Sequence, residues 1–146
     1  MEKTRILNIL LVEDNEADAK IALRAFGEAK VKNRIFVAKD GQEALEYLTA
    51  TGKYISRREF PFPDIILLDI NLPKLSGLEL LKKIKSSPQL RAVPVVMLSS
   101  SEDEKDIRES YLSYASSYIR KPLGYDDFVK AIEIFNCYWN ILVNLP

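Results

Sequence analysis

PDIILLDINLPKLSGLELLKKIK, residues 63–85, decides the fold. Asp64 to Asp69 (DIILLD) is a continuous apolar run bracketed by carboxylates, and it reads as a strand. It shows no in-out alternation, as a strand covered on both faces should not. Ser76-Gly-Leu-Glu79 is a capping box, with a serine hydroxyl placed to accept the N–H three residues on and a glutamate placed to reach back. It opens a helix that stops before Pro88. Strand, loop and helix make one β-α unit.

Outward from this unit the pattern repeats. Upstream, Ile6 to Val12 (ILNILLV) is a buried strand ending at Glu13-Asp14, and residues 16–29 carry Ala17, Ile21, Ala25 and Ala29 at helical spacing. Asn33 to Ala38 is a shorter strand; Asp40-Gly-Gln-Glu43 then starts a helix over 41–51, with Gly52 as its stop. Downstream, Pro94 to Leu98 is the fourth strand, and Ser101-Glu-Asp-Glu104 caps a helix reaching about Ala115. Ser117 to Ile119 is the fifth strand, and a long final helix occupies about 125–144. Five β-α units in strict alternation predict an α/β fold, a doubly wound five-stranded parallel sheet with right-handed crossovers. One connection is irregular: Lys53 to Pro63 (KYISRREFPFP) is long for its place. It is either a partner-contacting excursion or a loop that packs its aromatics on the domain.

Composition sets the outer limits. The 146 residues make one domain, 1–146, and 47% hydrophobic with 29% charged residues is globular composition. Lys plus Arg and Asp plus Glu both number 21, so no basic excess supports nucleic-acid binding. The chain has no His, which excludes Ser-His-Asp and Cys-His catalysis and His-ligated zinc. Cys137 is alone, so no intrachain disulfide forms. The apolar N-terminal run turns acidic too soon for a signal peptide or membrane span, and the expectation is a cytoplasmic protein with no membrane attachment.

In an open parallel sheet, ligands bind beyond the carboxyl ends of the strands. Glu13 and Asp14 end the first strand and Asp69 ends the third; if those strands are neighbours, three carboxylates converge. Each alone is equally at home as a helix cap or turn residue. Together they would repel unless a hard divalent cation such as Mg²⁺ joined them. Ser99 ends the fourth strand with a hydroxyl, and Lys121 follows the fifth with an ammonium. Such a set suits phosphoryl transfer onto a carboxylate, with Asp69 as nucleophile.

The segments ILLVEDNEADA (9–19), AKDGQEALEYL (38–48), 63–85, PVVMLSSSEDE (94–104) and SYIRKPL (117–123) carry a family likeness. Over nearly its whole length the chain resembles the receiver domain of bacterial two-component response regulators, a flavodoxin-like fold. The resemblance implies Asp69 as the phospho-acceptor for a sensor histidine kinase. It also implies Glu13, Asp14, Asp69 and the backbone carbonyl of Asn71 around Mg²⁺. By the same likeness Ser99 and Tyr118 form the switch, Lys121 pairs with the phosphoryl group, and the Lys121–Pro122 bond is cis. Asn71 and Ser101 sit where the family tunes the lifetime of the phosphoryl group. Serine stands for the commoner threonine at 99, and glutamate for aspartate at 13. The 53–63 insert, the Ser110-Tyr111 pair and the final FNCYWNILVNLP are similar to stand-alone regulators serving phytochrome-type photoreceptor kinases.

Two other readings compete. Aspartate-nucleophile phosphatases share the strand-end Asp but place a second Asp two residues on, where this chain has Asn71. A degenerate receiver acting as a scaffold would not need every pocket residue, yet all are present. In the last helix, Phe135, Trp139 and Leu142 fall on one stripe and Tyr138, Ile141 and Leu145 on another, with no charge from Ile134 to Pro146. At 1.5 Å per residue this helix spans ~30 Å and outruns the sheet. Its apolar end is read as a partner surface, a homodimer being the commonest solution; the alternative is internal packing. With no effector module following, output is expected through protein contact or a downstream His-bearing phosphotransfer protein.

Overall fold

Strands that are apolar on both sides need a layer on each. The computed structural model describes residues 6–28, 32–99, 104–120 and 126, with 99, 119 and 120 as backbone alone. Along the chain come β1 (Leu7–Val12), α1 (Glu16–Glu28), β2 (Asn33–Ala38), α2 (Gly41–Leu48), a 3-10 turn (Gly52–Tyr54) and β3 (Ile65–Asp69). Then follow α3 (Gly77–Ser86), β4 (Val95–Ser99), α4 (Glu104–Leu112) and β5 (Ser117–Arg120). The expected helix over 125–144, with Phe135, Tyr138, Trp139, Ile141, Leu142 and Leu145, lies outside the described residues, as do Ser101, Lys121 and Pro122. Among the described residues no helix is long and apolar enough to cross a membrane.

The sheet order is β2-β1-β3-β4-β5, with every pairing parallel, so the predicted doubly wound sheet is the observed one. Successive side chains go to opposite faces. Ile9, Leu11, Ile65, Leu67, Val96 and Leu98 meet Ala19, Ala22, Ala25 and Phe26 of α1. Leu10, Val12, Ile66 and Leu68 meet Tyr47 and Leu48 of α2 and Leu80, Leu81 and Ile84 of α3. Each fully buried Leu or Ile contributes about 1.5–3 kcal/mol relative to exposure. These two layers fix β1 beside β3.

At the starts of α2 and α3 the predicted cap residues accept the N–H three residues on; Ser101, expected to cap α4, lies outside the described residues. Asp40 accepts from Glu43 N at 2.8 Å and Ser76 from Glu79 N at 3.2 Å. Glu43 reaches back one residue further than the simple motif, to Lys39 N at 3.0 Å. The helix ends differ from expectation. α2 stops at Leu48 rather than 51, and α4 at Leu112 rather than about 115. Both end in the same paired bonds: Thr51 N to Glu46 O with Ala50 N to Tyr47 O, and Ala115 N to Ser110 O with Tyr114 N to Tyr111 O. This is the Schellman closure, whose pivot must turn left-handed. Ala50 (φ 53°) and Tyr114 (φ 70°) hold that position where glycine is usual.

The 53–63 insert packs inward for much of its length. Tyr54 is buried, its ring 5.0 Å from that of Tyr47 and 4.9 Å from that of Phe60, while Ile55 stays 74% exposed. The Arg57 guanidinium donates to the carbonyls of Tyr47 (2.9 Å) and Leu48 (2.7 Å), the last two of α2; the first also accepts from Ala50 N. The Tyr47 hydroxyl donates to Pro61 O at 2.7 Å. Burial pushes that hydroxyl from 10.0 up to about 12, against the nearby charges of Arg57 and Arg34. The folded chain thus keeps this proton after the unfolded chain has lost it. The resulting stabilisation is complete below pH 10 and drains away as pH rises towards about 12. Tyr47→Phe is expected to flatten the fall in urea-unfolding free energy across that window. An unchanged slope would assign the fall to other groups.

Candidate functional site

The register of β1 on β3 builds the site. Val12 pairs with Leu68, so the next residues, Glu13 and Asp69, stand level at the carboxyl edge, with Asp14 one step beyond. Carboxylate oxygens of Glu13, Asp14 and Asp69 all lie within 4.8 Å of one another. Glu13 and Asp69 are 3% and 6% exposed, and Asp14 faces solvent. The cluster occupies the point where the strand order reverses, the usual ligand crevice of such sheets.

The surrounding backbone holds the acids in place. Glu13 N donates to Ala38 O at 3.0 Å, tying the end of β1 to the end of β2. Asn71 N donates to Asp69 Oδ1 at 3.1 Å, so one carboxylate oxygen is oriented by the loop that follows. That loop turns sharply: Lys74 is left-handed at φ 67°, and Gly77 N donates to Ile70 O at 2.9 Å. Gly77 lies so close beneath Asp69 that a Cβ there would meet Asp69 O at 2.1 Å. Its sequence reading as part of a capping box gave no sign of this contact; only the packing of α3 under β3 makes it visible.

The other expected site residues are placed in part. Asp69 pairs with Leu98, putting Ser99 one step further along the same edge, and Ser99 pairs with Arg120, the residue before Lys121. Tyr118 pairs with Met97 and packs, partly buried, against the core layer shared with α2 and α3. Asn71 is exposed at the rim.

Three carboxylates this close define the chemistry. Two like charges about 4 Å apart repel by about 4 kcal/mol at an effective dielectric constant near ~20. A hard divalent cation removes that penalty, and an all-oxygen, anionic donor set fits Mg²⁺ or Mn²⁺ rather than thiophilic metals.

Residues 9–133 match the response regulator receiver domain. The chain is 40% identical over 134 residues to the probable methanogenesis regulatory protein FilR2 of Methanothrix harundinacea, covering 90% of this chain and 82% of that one. The phosphorylated cyanobacterial phytochrome response regulator RcpA superposes with a TM-score of 0.83 at 38% identity, over 92% of this chain and 94% of that one. The Mn²⁺-bound form of response regulator Rcp1, a protein of Synechocystis sp., gives 0.82 at 34% identity, over 96% and 99%. A strand-end acidic cluster on a 2-1-3-4-5 parallel sheet, in a chain with these relatives, has one family assignment: the protein belongs to the response regulator receiver domain family.

Proposed function

We propose that this protein is a phosphorylation switch in which Asp69 accepts a phosphoryl group from a sensor histidine kinase. The observation that carries the reading is the convergence of Glu13, Asp14 and Asp69 within 4.8 Å at the switch point of the sheet. An Asp69 carboxylate oxygen attacks phosphorus; the bond from phosphorus to the kinase imidazole nitrogen breaks, and that nitrogen keeps the electron pair. Mg²⁺, when bound, neutralises charge on the transferred group. Glu13, Asp14, Asp69 and the Asn71 carbonyl would hold it, and the Asn71 amide keeps one Asp69 oxygen oriented.

Lys121 supplies a further positive charge to the acyl phosphate, and Ser99 a hydroxyl donor. Drawing Ser99 towards the phosphoryl group opens space for Tyr118, which alters the surface around α4 and β5. The group shifts this equilibrium only by what it binds better in one state. Asn71, exposed at the rim of the site, and Ser101 are the positions proposed to tune the lifetime of the adduct. The resemblance to RcpA, a phytochrome response regulator, supports a phytochrome-type kinase as the donor. The near-complete mutual coverage with RcpA and Rcp1 supports action as a single receiver; the setting proposed is the cytoplasm. Signalling then passes by protein contact or to a His-bearing phosphotransfer protein. The uncharged run from Ile134 to Pro146 supports a homodimer, which sedimentation at tens of micromolar would reveal.

Incubation with Mg²⁺ and a small acyl phosphate donor is expected to give one acid-labile phosphoryl group per chain, decaying slowly and absent with chelator. Rapid multiple turnover would indicate a phosphatase instead, and no adduct at all would overturn the proposal.

A further inference from the structure

The 53–63 insert and the acidic site lie at different parts of the fold, yet a continuous chain of hydrogen bonds joins them. It starts at the Tyr54 hydroxyl, which donates to Oε1 of Glu43, where Lys53 Nζ also stands 3.4 Å away. The other oxygen of the same carboxylate, Oε2, accepts from Lys39 N at 3.0 Å. Lys39 N and Ala38 O belong to one peptide group, and Ala38 O accepts from Glu13 N at 3.0 Å. A single rigid peptide plane therefore has the Glu43 carboxylate on its N–H and the backbone of a site acid on its C=O.

Two physical effects follow from that arrangement. The plane cannot rotate to favour one bond without loosening the other. A charged acceptor on the N–H also polarises the carbonyl opposite, strengthening its bond to Glu13. Glu43 is poised for this. Burial pushes its carboxyl up, but the Tyr54 hydroxyl, the Lys39 amide and the Lys53 charge together outweigh burial and keep it below its ordinary value. The ring of Tyr54 is in turn clamped between Tyr47 and Phe60, so its hydroxyl is aimed by the packing of the insert.

We infer that Glu43, held by Tyr54 of the insert, is a positioning residue for the cation site, acting on Glu13 through the 38–39 peptide. The inference rests on the proposed cation site. It assigns the insert a task beyond covering α2: fixing the end of β2 against which Glu13 is set.

The test is a Mn²⁺ titration of the full chain, reading free ion by electron paramagnetic resonance, with amide NMR spectra recorded without metal. Glu43→Ala is expected to weaken Mn²⁺ binding about tenfold, in the range found for residues that orient metal ligands. Glu43→Gln, whose side-chain carbonyl still accepts from Lys39 N, should stay within about threefold of wild type on the same scale. Tyr54→Phe keeps the ring and removes the hydroxyl, giving an intermediate loss. In metal-free spectra Glu43→Ala should move the Lys39 and Glu13 amide protons upfield, as the first loses its acceptor and the bond of the second lengthens. Wild-type affinity and unmoved Glu13 and Lys39 resonances in Glu43→Ala would overturn this proposal alone. Equal losses in Glu43→Ala and Glu43→Gln would also overturn it, since holding the Lys39 N–H would then contribute nothing. Failure of the wild-type chain to bind Mn²⁺ would overturn the cation site and this proposal with it.

Discussion

Asp69→Asn is expected to abolish acid-labile labelling by a small acyl phosphate donor, with the loss complete rather than partial. The amide has the shape of the carboxylate, and its Oδ1 can still accept the 3.1 Å bond from Asn71 N, so the fold is retained. What disappears is the nucleophile: a neutral amide oxygen has neither the charge nor the basicity to displace a phosphoryl group. One of the three anionic donors goes as well, so Mn²⁺ affinity should fall in the same variant. Intact mass spectrometry after donor treatment, with urea unfolding as the control for folding, decides the matter. A phosphoryl adduct on the variant at the wild-type level would remove Asp69 from the role assigned to it.

Gly77→Ala sets two principles against each other. Gly77 opens α3, and on helix propensity alone alanine should stabilise the helix by up to about 1 kcal/mol. Packing says the reverse. The added Cβ would lie 2.1 Å from Asp69 O, 2.6 Å from Ile70 Cα and 2.8 Å from Asp69 C. All three are backbone atoms, unable to swing aside as a side chain would. Either α3 backs away, breaking the Gly77 N to Ile70 O bond, or the end of β3 bends. Steric overpacking at this level costs about 3 kcal/mol or more, so the variant should be clearly destabilised in urea. Because the clash falls on the peptide of Asp69 itself, adduct formation should slow in whatever fraction remains folded. A variant as stable as wild type would mean that the loop yields freely and that propensity wins.

The strands and the acid cluster are legible in the chain because they depend on rules that act over a few residues. Runs such as IILLD declare a buried strand, and an acidic residue after such a run must sit at its carboxyl end. Parallel pairing then brings distant ends together. Helix termini were less legible. Gly52 reads as the stop for α2 and is itself left-handed (φ 60°), but the turn that closes the helix falls on Ala50, and on Tyr114 after α4, residues that carry no such signal. Arg57, whose guanidinium takes up the last carbonyls of α2, helps hold the earlier ending, and an arginine nine residues on cannot be matched to those carbonyls without the fold. Glu43 was hidden by its own local explanation: a capping box accounts for it fully until the Tyr54 hydroxyl and the Glu13 amide are seen at either end.

The pairing of Ile9 with Ile65 has a thermodynamic corollary. In the unfolded polymer Glu13 and Asp69 wander independently, so a divalent ion finds no chelate there and binds the native form alone. Its binding energy then adds directly to conformational stability, by about 2.7 kcal/mol at a free ion concentration a hundredfold above Kd. The melting temperature of this protein is for that reason expected to rise with free Mg²⁺ in its surroundings, and acquires a fixed meaning only once that concentration is stated.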